Sequence, residues 1–194
     1  MATNKKVKYY FFVNDLSQLI IENLKKYKNY SLIYNPDNKN IFNINQIIKI
    51  QTFCKKNSVL FFLKDDYKYA HKFKANGIFI SSSNKIVNPG KLNVKLKVLG
   101  SAHNQLEYYH KMRQNCETIM FSPIFKTSKY SKNKILNINK FNLISKNWKV
   151  RVCALGGITN KNLKKINITR AVAIAGISII KKNPPTTTNS KWVF

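Results

Sequence analysis

Acidic residues are scarce in this sequence: seven Asp and Glu stand against 35 Lys and Arg, giving a formal net charge of +28. Such a charge is typical of proteins that bind nucleic acid or an anionic membrane surface. The alternative is a coding bias, because Lys, Asn, Ile, Phe and Tyr all have A/T-rich codons and are all abundant here. The lysines are scattered along the whole chain instead of forming one basic arm. We favour the coding bias and expect no nucleic-acid partner.

Cysteine is also rare, and long apolar runs are absent. Cys54, Cys116 and Cys153 are an odd number without metal-site spacing, and each lies in or beside an apolar segment. We therefore expect buried free thiols in a reducing, cytoplasmic environment. No apolar run reaches the length that spans a bilayer, and the amino terminus leads into a strand-like segment without a secretory signal. These absences argue against a membrane protein and against a disulfide-bonded secreted one.

Short apolar segments alternate with helical patterns eight times along the chain, which predicts a parallel sheet covered by helices. Eight units favour closure into a single compact (β/α)8 TIM barrel over residues 1–182. An open doubly wound sheet is the alternative. Residues 183–194, which begin with Asn-Pro-Pro, are expected to form a tail. The expected strands are 7–13, 31–34, 59–63, 77–80, 94–99, 118–121, 150–155 and 172–174. The expected helices include 44–56, one capped by Asn104, and 140–148.

Polar residues follow the expected strands, at the end of a barrel where active sites form. Four of the seven carboxylates lie there: Asp15, Asp37, Asp65 and Asp66. Mg²⁺ binds carboxylate oxygens beside substrate phosphates, and Asp65 is the best candidate ligand. The alternative role for Asp65 is to cap the next helix.

Histidine and hydroxyl groups follow strands five and six. His103 is placed to transfer protons near neutral pH, or else it caps a helix. The segment 122–129 carries Thr127, Ser128 and Lys129, a mixture that suits a diphosphate, although a solvated loop would have a similar composition.

Paired glycines end the seventh strand. Gly156 and Gly157 precede a helix expected to begin at Thr159 or Asn160, and Ala175-Gly176 follows the next strand. Small residues at successive strand ends let backbone N–H groups approach a phosphate. The alternative is a tight turn without a ligand.

Three of these motifs together resemble the thiamine-phosphate synthase/TenI-like family of (β/α)8 proteins. Gly100-Ser101-Ala102-His103 is similar to the family's Gly-x-Ser-x-His after strand five. Residues 122–129 (Ser-Pro-Ile-Phe-Lys-Thr-Ser-Lys) are similar to its Gly-Pro-[Val/Ile]-Phe-x-Thr-x-Thr-Lys loop, with one residue fewer. Residues 154–158 (Ala-Leu-Gly-Gly-Ile) match its phosphate-binding turn.

The amino-terminal half departs from the family pattern. The family's Gln-x-Arg-x-Lys after strand two is Tyr-Asn-Pro-Asp-Asn-Lys at 34–39, without the arginine and with Lys39 as a partial substitute. The family's Asn-Asp after strand three becomes Lys64-Asp65, which keeps the Asp that binds Mg²⁺. Lys64 brings a positive charge to the place of the metal, where it would either partly replace the cation or prevent its binding. After strand four the family's His, Gln and second metal-binding Asp are absent, and Asn84 stands in place of that Asp.

The resemblance implies condensation of a pyrimidine-methyl diphosphate with a thiazole phosphate to give thiamine phosphate and diphosphate. It assigns Mg²⁺ to Asp65 and phosphorylated small molecules as partners. Basic and hydroxyl groups would bind the diphosphate and pyrimidine, and the backbone at the two small-residue turns would bind the thiazole phosphate. The residues so implied are Lys39, Lys64, Ser101, Thr127, Ser128, Lys129, Gly156, Gly157, Ala175 and Gly176.

Three other functions stay open at this point. A TenI-like tautomerase would isomerise the thiazole phosphate without metal, with His103 as acid and base. A barrel without catalysis would only bind a phosphorylated ligand or a partner protein. Nucleic-acid binding would rest on charge alone, since the sequence has no recognisable reading module.

Overall fold

A computed structural model describes residues 7–36, 41–86, 96–127 and 134–181 of the chain. The strands are β1 (Lys8–Val13), β2 (Tyr30–Tyr34), β3 (Leu60–Lys64), β4 (Gly77–Ile80), β5 (Lys97–Ala102), β6 (Thr118–Phe121), β7 (Arg151–Leu155) and β8 (Ala173–Gly176). The helices are α1 (Gln18–Leu24), α2 (Ile44–Lys56), α3 (Tyr67–Lys72), α4 (Gln105–Arg113), α5 (Asn137–Ser145) and α6 (Ser178–Lys181), with a 3-10 helix at Leu163–Ile168.

The eight strands form one closed barrel in the order of the sequence, and every neighbouring pair is parallel. The barrel closes between β1 and β8, where Phe11 pairs with Gly176. This confirms the predicted (β/α)8 barrel and excludes the open doubly wound sheet.

Two apolar layers build the core. The barrel interior is filled by residues such as Tyr10, Phe12, Phe62, Phe79 and Met120. The larger layer packs the outer faces of the strands against the helices. Because side chains alternate along a strand, each strand supplies one set of residues to each layer.

Side-chain caps begin three of the helices. Asn43, Asp66 and Asn104 each accept a hydrogen bond from the backbone N–H three residues further on, which satisfies a donor that the helix leaves unpaired. Asp66, and not Asp65, is therefore the cap of α3.

Several predicted boundaries are wrong. Strand β5 lies three residues later than expected, so Ser101 belongs to the strand and does not follow it. Helix α5 begins and ends three residues before the expected 140–148. No helix begins at Thr159 or Asn160; a 3-10 helix starts at Leu163 instead.

All three cysteines are buried and free, as predicted. In the described ranges, no helix is long and apolar enough to cross a membrane. The expectations for Asp37, Lys39, Ser128, Lys129 and the tail 183–194 lie outside the described residues.

Candidate active site

A polar ring lines the barrel at the carboxyl ends of its strands. Ile33, Phe62, Leu99 and Met120 fill the interior, and the residue two positions after each shares its direction. Alternation therefore directs four polar side chains into the mouth, which is the open end of the barrel at the carboxyl ends of the strands. They are Asn35, Lys64, Ser101 and Ser122. In such barrels this end carries the chemistry.

Among the described strand residues, Lys64 is the basic residue whose side chain points into this mouth. It is the last residue of β3, and its Nζ donates to Asn35 Oδ1 across 2.9 Å. The contact joins β2 to β3 and holds the ammonium group at the rim of the barrel. An anion on this side of the mouth would meet a fixed positive charge.

Asp65 pairs with the loop that follows β4. Its Oδ1 accepts from the Ser81 N–H at 2.7 Å and from the Asn84 Nδ2 at 3.2 Å. Asp65 has a φ of 56°, a left-handed conformation that a non-glycine residue adopts at a cost. The bonds to Ser81 and Asn84 hold the carboxylate at the mouth in this conformation.

The geometry at Asp65 fits Mg²⁺ as a site with one carboxylate. Within the described residues, Oδ1 accepts both hydrogen bonds of this carboxylate and Oδ2 accepts none. Asn84 presents its nitrogen to Asp65, because its Oδ1 accepts from the Ile86 N–H. Among the residues that the structure describes, no three His, Cys, Asp or Glu side chains form a group suited to a metal. Substrate phosphate and water would supply the other ligands, as is usual for Mg²⁺.

The ring of His103 is fixed by Glu107. Glu107 Oε2 lies 2.8 Å from His103 Nδ1 and accepts the His103 backbone N–H at 2.7 Å. Nε2 is the ring nitrogen that this carboxylate does not engage. Asn104, and not His103, caps α4. The contact with Glu107 orients the imidazole at the end of β5.

The loop after β6 packs directly on the glycine turn after β7. The N–H groups of Ile124 and Phe125 donate to the carbonyls of Leu155 and Gly156, both at 3.0 Å. At the end of the described part of this loop, Thr127 Oγ1 is buried and has no hydrogen-bond partner among the described residues. A buried hydroxyl without a partner is costly, so a ligand hydrogen bond would stabilise it.

Gly156 and Gly157 have φ angles of +95° and +70°. A Cβ on Gly157 would lie 2.5 Å from the Lys126 carbonyl oxygen, and one on Gly156 would lie 2.8 Å from Pro123 Cα. Glycine is therefore required by backbone conformation and by the adjacent loop. The close approach accounts for both glycines by a tight turn alone. It is also compatible with a phosphate at this turn.

The glycine turn also leaves donors for a ligand. Within the described residues, the N–H groups of Gly156 and Gly157 donate to no protein acceptor. Leu155 pairs with Ala175, which places Gly176 beside Gly156 at neighbouring strand ends. Backbone donors at this position are suited to a phosphate.

Lys111 and Gln114 are site residues that the sequence did not reveal. Both are fully buried on or just after α4, and both bind the loop after β4. Burial lowers the pKa of Lys111, while the charges of Cys116, Asp65 and Glu107 act in the opposite direction. In the sequence, Lys111 looks like one more surface lysine.

A cavity of about 580 Å³ opens at the opposite end of the barrel. Its lysines include Lys25 and Lys56, which lie at the carboxyl ends of α1 and α2. Lysine at these positions offsets the negative end of the helix dipole. We therefore assign the functional site to the carboxyl end of the strands.

The fold and this mouth define a parallel β/α barrel with a lysine at the β2–β3 rim and a glycine turn at the ends of β7 and β8. The model of the thiamine monophosphate synthase family matches residues 36–180. The chain belongs to this family.

Relatives and solved structures agree with that membership. A thiamine-phosphate synthase of Staphylococcus haemolyticus is 29% identical over 139 residues, which are 70% of this chain and 66% of that protein. One of Prochlorococcus marinus strain AS9601 is 26% identical over 73% of this chain and 41% of its own length. The structure of a thiamine phosphate pyrophosphorylase from Pyrococcus furiosus has the same fold, with a TM-score of 0.72, 18% identity and coverage of 90% of this chain and 87% of that one.

The chain therefore spans 41% and 66% of the length of these two curated relatives.

Proposed function

We propose that this chain catalyses thiamine-phosphate synthesis, joining a pyrimidine-methyl diphosphate to a thiazole phosphate with release of diphosphate. The observation that supports the proposal is that a lysine and a glycine turn, both candidates for binding an anion, lie at the same end of the barrel. Lys64 lies on the β2–β3 side, and the glycine turn lies at the ends of β7 and β8. The reaction requires two phosphorylated substrates in one site, and family membership supports the same assignment.

The diphosphate group of the pyrimidine substrate is proposed to bind on the β3 side of the mouth. Diphosphate leaves from a carbocation-like carbon, so catalysis depends on stabilising the negative charge of the leaving group. The Lys64 ammonium supplies positive charge that is already oriented by Asn35. Lys39 and Lys129, from segments outside the described residues, are proposed to add to it.

The thiazole phosphate belongs to the glycine turn. The N–H groups of Gly156 and Gly157, with Ala175 and Gly176 on the next strand, bind its phosphate and orient the nucleophilic thiazole nitrogen. Holding both substrates in one geometry supplies much of the rate enhancement in a reaction of this kind. Ser101, Thr127 and Ser128 are proposed to contact the pyrimidine and its diphosphate.

Asp65 is proposed to hold Mg²⁺ through Oδ2. When bound, the ion supplies charge neutralisation for the departing diphosphate. The Ser81 N–H and the Asn84 side chain bind Oδ1 and fix the carboxylate at the end of β3.

The experiment mixes the purified chain with Mg²⁺ and both substrates and measures thiamine phosphate by fluorescence after oxidation. We expect product that disappears with a chelator and in Asp65→Asn, which keeps an oxygen acceptor for Ser81 but removes the charge. Unchanged product in the chelated sample would overturn the magnesium assignment. Absence of product with bound thiazole phosphate would overturn the synthase proposal and leave the tautomerase or the binding-only barrel, which His103→Ala separates.

A further inference from the structure

The buried ammonium group of Lys111 lies in a cage of three oxygens. Its Nζ donates to the Ser81 carbonyl at 2.6 Å, the Asn84 carbonyl at 2.9 Å and the Gln114 Oε1 at 2.8 Å. An ammonium has three donors, so the cage satisfies all of them. Such charge-assisted bonds are short and strong.

Gln114 completes the attachment from the same end of α4. Its Nε2 donates to the carbonyls of Asn84 and Ile86, at 3.0 and 2.9 Å. The aliphatic part of Lys111 passes over Gly100, where a Cβ would lie 2.9 Å from the Lys111 Cδ. The side chain therefore reaches the loop through a path that β5 leaves open.

The loop held in this way, residues 81–86, is the one that orients Asp65. The Ser81 N–H and the Asn84 side chain are the two donors to Asp65 Oδ1. Lys111 binds the carbonyls of these same two residues. A continuous set of hydrogen bonds thus runs from the interior of α4 to the carboxylate at the mouth.

We propose that Lys111 is a positioning residue, whose ammonium fixes the 81–86 loop and through it the Asp65 carboxylate. Its predicted effect on catalysis rests on the proposed function, while its effect on the loop does not. Without the ammonium, and within the described residues, the Ser81 carbonyl keeps only the Asn84 N–H and the Asn84 carbonyl keeps only the Gln114 Nε2. The two residues that donate to Asp65 are then held less firmly. The diphosphate side of the mouth is then loosened, whereas the glycine turn on β7 is untouched.

The test compares Lys111→Met with Arg113→Met, which removes an exposed cation from the same helix. Amide hydrogen exchange is followed at Ser81, Asn84 and Ile86, whose N–H groups all donate within this region. Ile124 and Phe125, which donate to the β7 turn, report on the rest of the barrel. Loss of a buried charged hydrogen bond should raise exchange at the three loop amides at least about tenfold.

Measuring the KM of each substrate distinguishes a positioning role of Lys111 from a general loss of structure. In Lys111→Met we expect KM for the diphosphate substrate to rise by about fivefold or more, with KM for the thiazole phosphate unchanged. If Lys111→Met does not fold, Gln114→Met provides the same comparison with a smaller change. Loop exchange equal to that of Arg113→Met would overturn the proposal, as would equal changes in both KM values. If the wild-type chain makes no product, only the proposed function fails, and the exchange measurement still decides the role of Lys111.

Discussion

The Lys64 ammonium and the Asn35 side chain are hydrogen bonded across β2 and β3 at 2.9 Å. The sequence suggests that the second strand end has lost a basic group and that the third has gained one. The contact places the ammonium that the third strand end has gained beside the first residue after β2. This side of the barrel therefore carries a positive charge, supplied by β3.

Replacing Lys64 tests whether this charge binds the diphosphate. We expect Lys64→Met to weaken binding of inorganic diphosphate by at least about tenfold, because a charged hydrogen bond is lost. Isothermal titration calorimetry measures the change, and Lys68→Met, which alters an exposed lysine of α3, is the control. Equal affinity in Lys64→Met and Lys68→Met would contradict the assignment.

The glycine turn should be sensitive to a single methyl group. Gly157→Ala places an alanine at a φ of +70° with its Cβ 2.5 Å from the Lys126 carbonyl, so we expect a loss of about 1–3 kcal/mol in the free energy of unfolding. Gly176→Ala is the matched variant, because its Cβ would meet only the flexible end of Ile179, at 3.0 Å. Urea unfolding of both chains measures the difference; a loss in Gly176→Ala as large as that in Gly157→Ala would count against the steric account.

Alkaline pH should destabilise the fold. Burial raises the pKa of the Cys54 and Cys116 thiols from the ordinary 9.0 to about 12. Above that lower value the unfolded chain loses protons that the folded chain keeps, so the free energy of unfolding falls as pH rises from about 9 toward 12. Each thiol contributes at most about 1.4 kcal/mol per pH unit in that window.

Urea unfolding at a series of pH values tests this slope, with Cys54→Ala as the comparison. The free energy of unfolding of the variant should fall less steeply between pH 9 and 12. In that range the Cys54 thiol loses its proton in the unfolded chain and keeps it in the folded chain. Identical slopes for the wild-type chain and the variant would show that Cys54 does not contribute.

The net charge of +28 makes a separate prediction. If the lysines reflect coding bias, labelled single- and double-stranded polynucleotides should bind negligibly at physiological ionic strength. Fluorescence anisotropy over a salt series measures this. Binding that persists at that ionic strength and falls steeply with added salt would instead indicate a nucleic-acid partner.

Local signals were sufficient for most of the fold. Helix α2 and strands β4 and β6 have the predicted bounds, because Asn43 caps the helix and turn-forming residues flank short apolar runs. The shift of β5 has a physical reason: Gly100, Ser101 and Ala102 look like a loop, yet they pair with Ile119, Met120 and Phe121 along β6.

The candidate site was less accessible to sequence reasoning. Asp65 and His103 were identified as site candidates, but their partners, Asn84 and Glu107, follow from distances that only the fold supplies. Lys111 gave no signal at all. Its role depends on carbonyls 27 and 30 residues away and on the space over Gly100, and neither is encoded near Lys111 in the chain.

The most direct test of the central claim counts both products of one reaction mixture. The chain, Mg²⁺ and the two substrates are incubated, and thiamine phosphate and released diphosphate are measured together. The account predicts equal amounts of the two, which fall together in Lys64→Met and not in Lys68→Met. Thiazole phosphate that binds while neither product forms would contradict it.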